Sequence, residues 1–204
     1  MSKNREIPLF PLSIVMFPGG RFDLQIFERR YIDLIRQCLR SETGFGICLL
    51  KSGEETVQKN SGQSIYSTGT YSKIIDWNQL ENGLLGITVE GQIKFSVSDY
   101  WKGDDDILHA NAEFSEVESA DSESIPLENQ FDGLSVLLRK LENHPMVEKK
   151  KLVVDYDNLW DLGWRLSELI PIKVEERQKL LEIDDPWDRV KNIERLIADL
   201  ANNI

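Results

Sequence analysis

The chain has 204 residues, 41% of them hydrophobic and 29% charged, with a formal net charge of −11. That length is enough to bury a core in one domain or two small ones, and the composition is that of an ordinary globular protein. So acidic a surface repels phosphates, which disfavours nucleic acid as a partner and suits neutral, basic or apolar polypeptide.

The N-terminus, Met1-Ser2-Lys3-Asn4-Arg5-Glu6, has neither an apolar core nor a small-residue cleavage site, so no signal peptide is expected. No run approaches the roughly 20 apolar residues that span a bilayer, so no membrane association is expected. Residues 7–12 alternate proline with large apolar side chains, which predicts an extended strand closed by a turn at Pro18-Gly19-Gly20. Tyr31, Leu34, Ile35, Cys38 and Leu39 recur at helical spacing and predict one inserted helix over about 28–40. Glu28 at its start faces the positive end of the helix dipole and can accept from free backbone amides.

Strand signals follow. Cys48 sits in the apolar run 45–50, and with Cys38 it makes the only two cysteines, too few for a disulfide framework or a zinc site. Two buried free thiols in a reducing compartment, the cytoplasm, are the expectation. Asn82-Gly83 and Glu90-Gly91 each sit between strand-like runs and predict two tight hairpins, hence a three-strand meander from Tyr71 to Val97. Leu108, Ala110, Ala112 and Phe114 alternate with polar residues and mark another strand. Many short strands with little helix suggest a barrel or closed sheet.

From Glu116 to Ser124 the chain is polar and acidic, and reads as a connector. Beyond it only helices are expected. Leu127, Phe131, Leu134, Leu138 and Leu141 form one stripe, and Leu159, Leu162, Leu166 and Leu169 a second that Pro171 stops. A short helix is expected near Glu175–Glu182. A last one opens on Asp185-Pro186-Trp187-Asp188, the order of an N-cap, an N1 proline and an N3 acid. The fold class is therefore α+β: a β subdomain at 1–118, an acidic linker at 119–125 and a helical subdomain at 126–204.

Chemistry-bearing motifs are scarce. No Gly-x-x-x-x-Gly-Lys-Ser/Thr phosphate loop and no Gly-x-Ser-x-Gly elbow occurs. His109 lies on the wet face of a strand, and His144 precedes Pro145 at a helix end, where it reads as solvated or capping. Asp104-Asp105-Asp106 lacks the alternating spacing of a calcium loop and reads as a charged hairpin tip. No catalytic residue, cofactor or metal is predicted. Trp160, Trp164 and Trp187 fall on helices and read as core.

The opening, from Ile7-Pro8-Leu9-Phe10-Pro11-Leu12 through Phe17-Pro18-Gly19-Gly20 and Phe22 to Tyr31, resembles the N-terminal substrate-binding domain of Lon proteases. Phe45-Gly46-Ile47, Ser67-Thr68-Gly69-Thr70 and Gly91-Gln92-Ile93-Lys94-Phe95 continue it, as do Lys179-Leu180-Leu181-Glu182 and Arg189. Lys94 stands where that family often has arginine, and a lysine forks onto a carboxylate less well. The resemblance implies a PUA-like (pseudouridine synthase and archaeosine transglycosylase) β fold followed by a helical bundle. It further implies a stand-alone, non-enzymatic module that recognises unfolded polypeptide or a protein partner. An RNA-binding module and a regulatory adaptor for one folded partner are the alternatives. The candidate polypeptide-contact residues are Met16, Phe17, Phe27, Trp77 and Trp101.

Overall fold

The computed structural model describes residues 4–55, 62–119 and 123–202 and divides the chain into two compact units, Met1–Ala120 and Asp121–Ile204. The first holds a six-stranded sheet built from β1 (Asn4–Leu12), β2 (Arg21–Ile26), β3 (Phe45–Ser52), β4 (Ser64–Gln79), β5 (Leu85–Lys102) and β6 (Leu108–Ser119), with α1 (Arg29–Ser41) between β2 and β3. Strand order is β2-β5-β4-β3-β1-β6, and a further β5–β6 pairing returns the hydrogen bonding to β5. Length makes this possible. β5 meets β2 through residues 85–90 and β6 through residues 93–102.

The proline-rich opening becomes intelligible in β1. Residues 4–9 pair antiparallel with β6 and residues 9–12 pair parallel with β3, so the two ladders overlap only at Leu9. Pro8 and Pro11 each lie where one flank of the strand carries no ladder, which is where proline is tolerated. Both faces are nonetheless buried. Ile7 and Leu9 enter one cluster with Cys48, Phe95 and Ala110, while Phe10 and Leu12 enter another with Tyr31, Ile35, Phe45 and Val89. A strand buried on both sides reads as a continuous apolar run. The α1 stripe supplies Tyr31, Leu34, Ile35 and Cys38 to the second cluster, with the Phe10 and Tyr31 rings stacked 4.0 Å apart.

The predicted turn at Pro18-Gly19-Gly20 is present, with Gly19 at φ 70°. Asn82-Gly83 also turns the chain, Gly83 at φ 82° and Leu84 N donating to Asn82 Oδ1. Glu90-Gly91 does not. β5 runs straight through it, so the expected meander is two long strands instead of three. Gly91 is small for another reason: its N–H donates to Gly20 O at 3.0 Å, it accepts from Gly19 N at 2.8 Å, and a Cβ there would overlap the Phe17 carbonyl. A close backbone approach, not a turn, calls for glycine at that position.

The connector also starts later than the composition suggests. β6 continues to Ser119, and Glu118 is buried beside Lys94 of β5, with side-chain exposures of 1% and 7%. Of the expected linker 119–125, residues 120–122 lie outside the described residues.

The second unit contains α2 (Asp132–Glu142), α3 (Pro145–Glu148), α4 (Leu159–Leu169), α5 (Val174–Glu182) and α6 (Pro186–Asn202). Its core gathers Leu134, Leu138, Leu162, Leu166, Val190 and Ile193 with two buried, stacked indoles, Trp160 and Trp164. Asp185 Oδ1 accepts from Trp187 N at 2.7 Å and Asp188 N at 3.2 Å, the cap the sequence predicts. His144 caps the short α3 by accepting from Met146 N. That helix has no apolar stripe, so periodicity gives no sign of it.

Both cysteines are free and buried. Burial pushes the Cys48 thiol from 9.0 up to about 12, and the Tyr31 phenol from 10.0 up to about 12. The unfolded chain releases these protons first, so stability will fall as the pH climbs from about 9 towards 12, by up to about 1.4 kcal/mol per pH unit for each group. Denaturant titrations across that range measure it, and a flat profile would contradict the burial. Iodoacetamide will likewise label neither thiol in the folded protein at mildly alkaline pH.

Candidate functional site

The five predicted contact residues separate into two groups. Met16 and Phe17 are corrected to core positions, at 1% and 0% exposure. The segment that carries them is pinned inward because Thr70 Oγ1 donates to Met16 O at 2.7 Å and the turn behind it is fastened to Gly91. Apolar residues after a strand read alike in sequence whether they face the core or solvent. Phe27, Trp77 and Trp101 do face solvent, at 59%, 61% and 37% exposure.

These three do not form one surface. Trp77 lies opposite Ile87 near the start of β5, and Ile87 lies opposite Leu24 of β2. Trp101 lies opposite His109 at the far end of β5. Phe27 follows β2 at the approach to α1.

Each tryptophan borders its own recess. The Trp77 recess holds about 280 Å³ and is lined also by Leu24, Leu80 and Ile87, with carboxylates at Asp23 and Asp76. Both acids are engaged locally: Thr88 Oγ1 donates to Asp23 Oδ1 at 2.6 Å, and Trp77 N donates to Asp76 Oδ1 at 2.8 Å. The Trp101 recess holds about 230 Å³ and adds Arg30, Gln63, Tyr100, Lys102 and Leu108.

None of these five residues is in the sequence-derived contact set. The signal for two of them is the run Tyr100-Trp101-Lys102 directly before Gly103, two aromatics and a cation on the shoulder of a hairpin. Glu28 caps no amide of α1. It accepts instead from Arg30 Nε at 2.9 Å, while Arg30 Nη1 donates to Asp106 O at 2.8 Å and its guanidinium lies 4.4 Å from the Tyr31 ring centroid.

One polar side chain of a type used in catalysis, His109, is engaged within the fold. His109 lies between Asp105, 3.1 Å from Nε2, and Glu6, 3.6 Å from Nδ1, with Trp101 stacked on its ring. Among the described residues no group of three or more His, Cys, Asp or Glu side chains could hold a metal ion. No described helix is long and apolar enough to cross a membrane. Lys94 Nζ pairs with Glu118 Oε2, and an ammonium offers no planar fork of the kind an arginine would bring to that carboxylate.

Comparison with known proteins gives one consistent result. Residues 6–199 match the family described as the ATP-dependent protease La (LON) substrate-binding domain. The Lon protease of Bacillus thuringiensis (strain Al Hakam) is 24% identical over 97% of this chain but only 25% of its own length. The chain thus spans about a quarter of the curated relatives it matches. Among solved structures, a Lon N-terminal domain protein from Xanthomonas campestris superposes with a TM-score of 0.72 at 28% identity, over 95% of this chain and 98% of that one. The N-terminal domain of Mycobacterium avium complex Lon protease shares the fold, with a TM-score of 0.62 at 14% identity over 96% and 99% of the two chains.

Proposed function

Because the chain belongs to the Lon substrate-binding domain family, we propose that it is a non-enzymatic recognition module that binds unfolded or partner polypeptide through the exposed aromatics of its β unit. The observation that carries this reading is the exposure of Phe27 and Trp77, at 59% and 61%, on a domain whose family is described by substrate binding. Large aromatics held in solvent supply contact area at low conformational cost and mark interaction sites, and Trp77 also borders a recess. The net charge of −11 suits a polypeptide partner better than RNA. Within the same proposal, the ring of pairings from β5 through β4, β3, β1 and β6 back to β5 is a PUA-like barrel. The free, buried thiols fit the cytoplasm.

Titration with reduced, carboxymethylated α-lactalbumin, followed by tryptophan fluorescence, tests the reading. Saturable binding is expected, and Phe27→Ser or Trp77→Ser will weaken it by about tenfold while leaving the melting temperature nearly unchanged. No saturable binding, or equal binding by both variants, would remove the proposal. Casein incubated with the protein and ATP will stay intact if the module is non-enzymatic.

A further inference from the structure

We infer that the outer edge of β2 holds an extended polypeptide segment of alternating apolar and basic side chains, added to the sheet as a further strand. The inference rests on the polypeptide-binding reading above and names where, and in what conformation, the segment is held.

The topology leaves this edge open. Every other described strand pairs on two sides, whereas β2 pairs with β5 alone among the described residues. Two hydrogen bonds fix the phase of the ladder. Gly91 N donates to Gly20 O at 3.0 Å, so Gly91 turns its backbone groups towards β2. Leu80 N donates to Leu84 O at 2.9 Å, so Leu84 turns its own towards β4. Backbone direction alternates along a strand, which leaves Leu85, Ile87 and Val89 bonding to Ile26, Leu24 and Phe22. Asp23 and Gln25 therefore point N–H and C=O away from β5. Both residues are exposed, and those groups have no partner among the described residues.

Natural edges are blunted by lysine, proline or a bulge. β2, Arg-Phe-Asp-Leu-Gln-Ile, has none of these. Its ladder to β5 runs without a register shift, and Arg21 is tied to Glu90 at 2.7 Å. The groups that complete such an edge are the N–H and C=O of another extended backbone.

The side chains of β2 select the segment. Phe22 and Leu24 pack against the core on one face yet stay partly exposed, because the sheet ends beside them. An added strand sets every second side chain next to them, which calls for apolar residues. Its alternate side chains meet the other face, where Asp23, Thr88 and Asp76 form a row across β2, β5 and β4. The recess on that row is lined by two carboxylates and by no lysine, arginine or histidine. The partners of these acids are neutral, the Thr88 hydroxyl and the Trp77 amide, so the row calls for cations. A second copy of β2 fits less well. Two-fold pairing centred on the strand sets Asp23 against Asp23, between chains that each carry −11.

Acetyl-Lys-Val-Lys-Val-Lys-Val amide, titrated into ¹⁵N-labelled protein, tests this. At saturation the Asp23 and Gln25 amides will exchange more slowly with solvent, while those of Phe22 and Leu24, already in the ladder, change little. The block isomer Lys-Lys-Lys-Val-Val-Val and the glutamate analogue Glu-Val-Glu-Val-Glu-Val will each bind about tenfold or more weaker. N-methylation of one alternate set of peptide amides will cost about tenfold or more, and of the other set little, because only one set faces β2. Loss on the lysine set means an antiparallel addition, and on the valine set a parallel one. Gln25→Pro will weaken binding about tenfold, since its N–H lies outside the ladder but on the receiving edge. If that variant does not fold, the two methylated peptides decide.

No saturable binding of the alternating peptide overturns the inference, as do equal effects of the two methylations or unchanged exchange at Asp23 and Gln25. A block isomer or glutamate analogue that matches the alternating peptide overturns it as well. If carboxymethylated α-lactalbumin still binds under those results, the recognition reading stands and strand addition alone is lost. If the alternating peptide adds to β2 while α-lactalbumin does not bind, the edge site stands and the wider reading fails.

Discussion

Lys94→Ala will destabilise the β unit by about 3–5 kcal/mol, and Glu118→Ala by a similar amount, because each removes the counter-ion of a charge that stays buried. The two side chains are 7% and 1% exposed, so water cannot solvate the survivor. The sheet also positions them firmly. Lys94 lies between Ile93 and Phe95, which pair with Ser119 and Phe114 across a register shift. The irregular stretch of β6 left over there carries Glu118 inward. Replacing the pair together, as Lys94→Met with Glu118→Leu, should restore most of the loss, since well-packed apolar residues often substitute for a buried ion pair at little cost. Urea unfolding combined with hydrogen exchange at β5 and β6 measures this. Single variants that cost under about 1 kcal/mol, or a double variant no better than either single, would show that the pair is not the buried contact described.

Arg189→Ala will cost the helical unit about 3 kcal/mol or more through two combined losses, packing around a fully buried side chain and hydrogen bonds to a helix end. Arg189 Nε donates to Leu180 O at 2.9 Å, and Nη2 donates to Ile183 O. These carbonyls belong to the last turn of α5 and the residue after it, where no intrahelical donor reaches. The guanidinium also lies 5.5 Å from the Trp160 ring centroid. Burial pulls its pKa from 12.5 down to about 10, which still leaves it charged at neutral pH. Arg189→Lys should recover only part of the stability, because an ammonium lacks the planar fork that serves two carbonyls at once. Urea unfolding followed through the buried indoles reads both variants. A lysine variant as stable as the parent would assign the effect to charge alone.

Much of this fold was legible because its signals are periodic. The α1 stripe from Tyr31 to Cys38, the α4 stripe from Leu159 to Leu166 and the Asp185 cap all depend on neighbours in sequence, so local reading suffices. Gly91 misled because glycine marks a turn and a close backbone approach alike, and only the distant Phe17 and Gly20 distinguish them. Glu118 misled similarly. A carboxylate in an acidic stretch reads as solvated connector until its partner, far back on β5, is known.

The candidate site was less legible than the fold, and for the same physical reason. Trp77 and Trp101 could be named from their place beside strands, but exposure decides their role and exposure is a tertiary property. Met16 and Phe17 show the converse, their burial set by Thr70 and Gly91.

The pairing of the first strand with the last has a kinetic consequence. Asn4 sits opposite Glu113, and β1 is joined through Leu9 to both β6 and β3. A ribosome therefore releases β1 long before its antiparallel partner exists, and no local hairpin can stand in for it. Loop closure over nearly the whole unit must precede the contacts that reward it, which places this sheet among slow-folding topologies. Until β6 emerges, Ile7 and Leu9 have only part of their burial, and the nascent chain carries an apolar strand with one flank open.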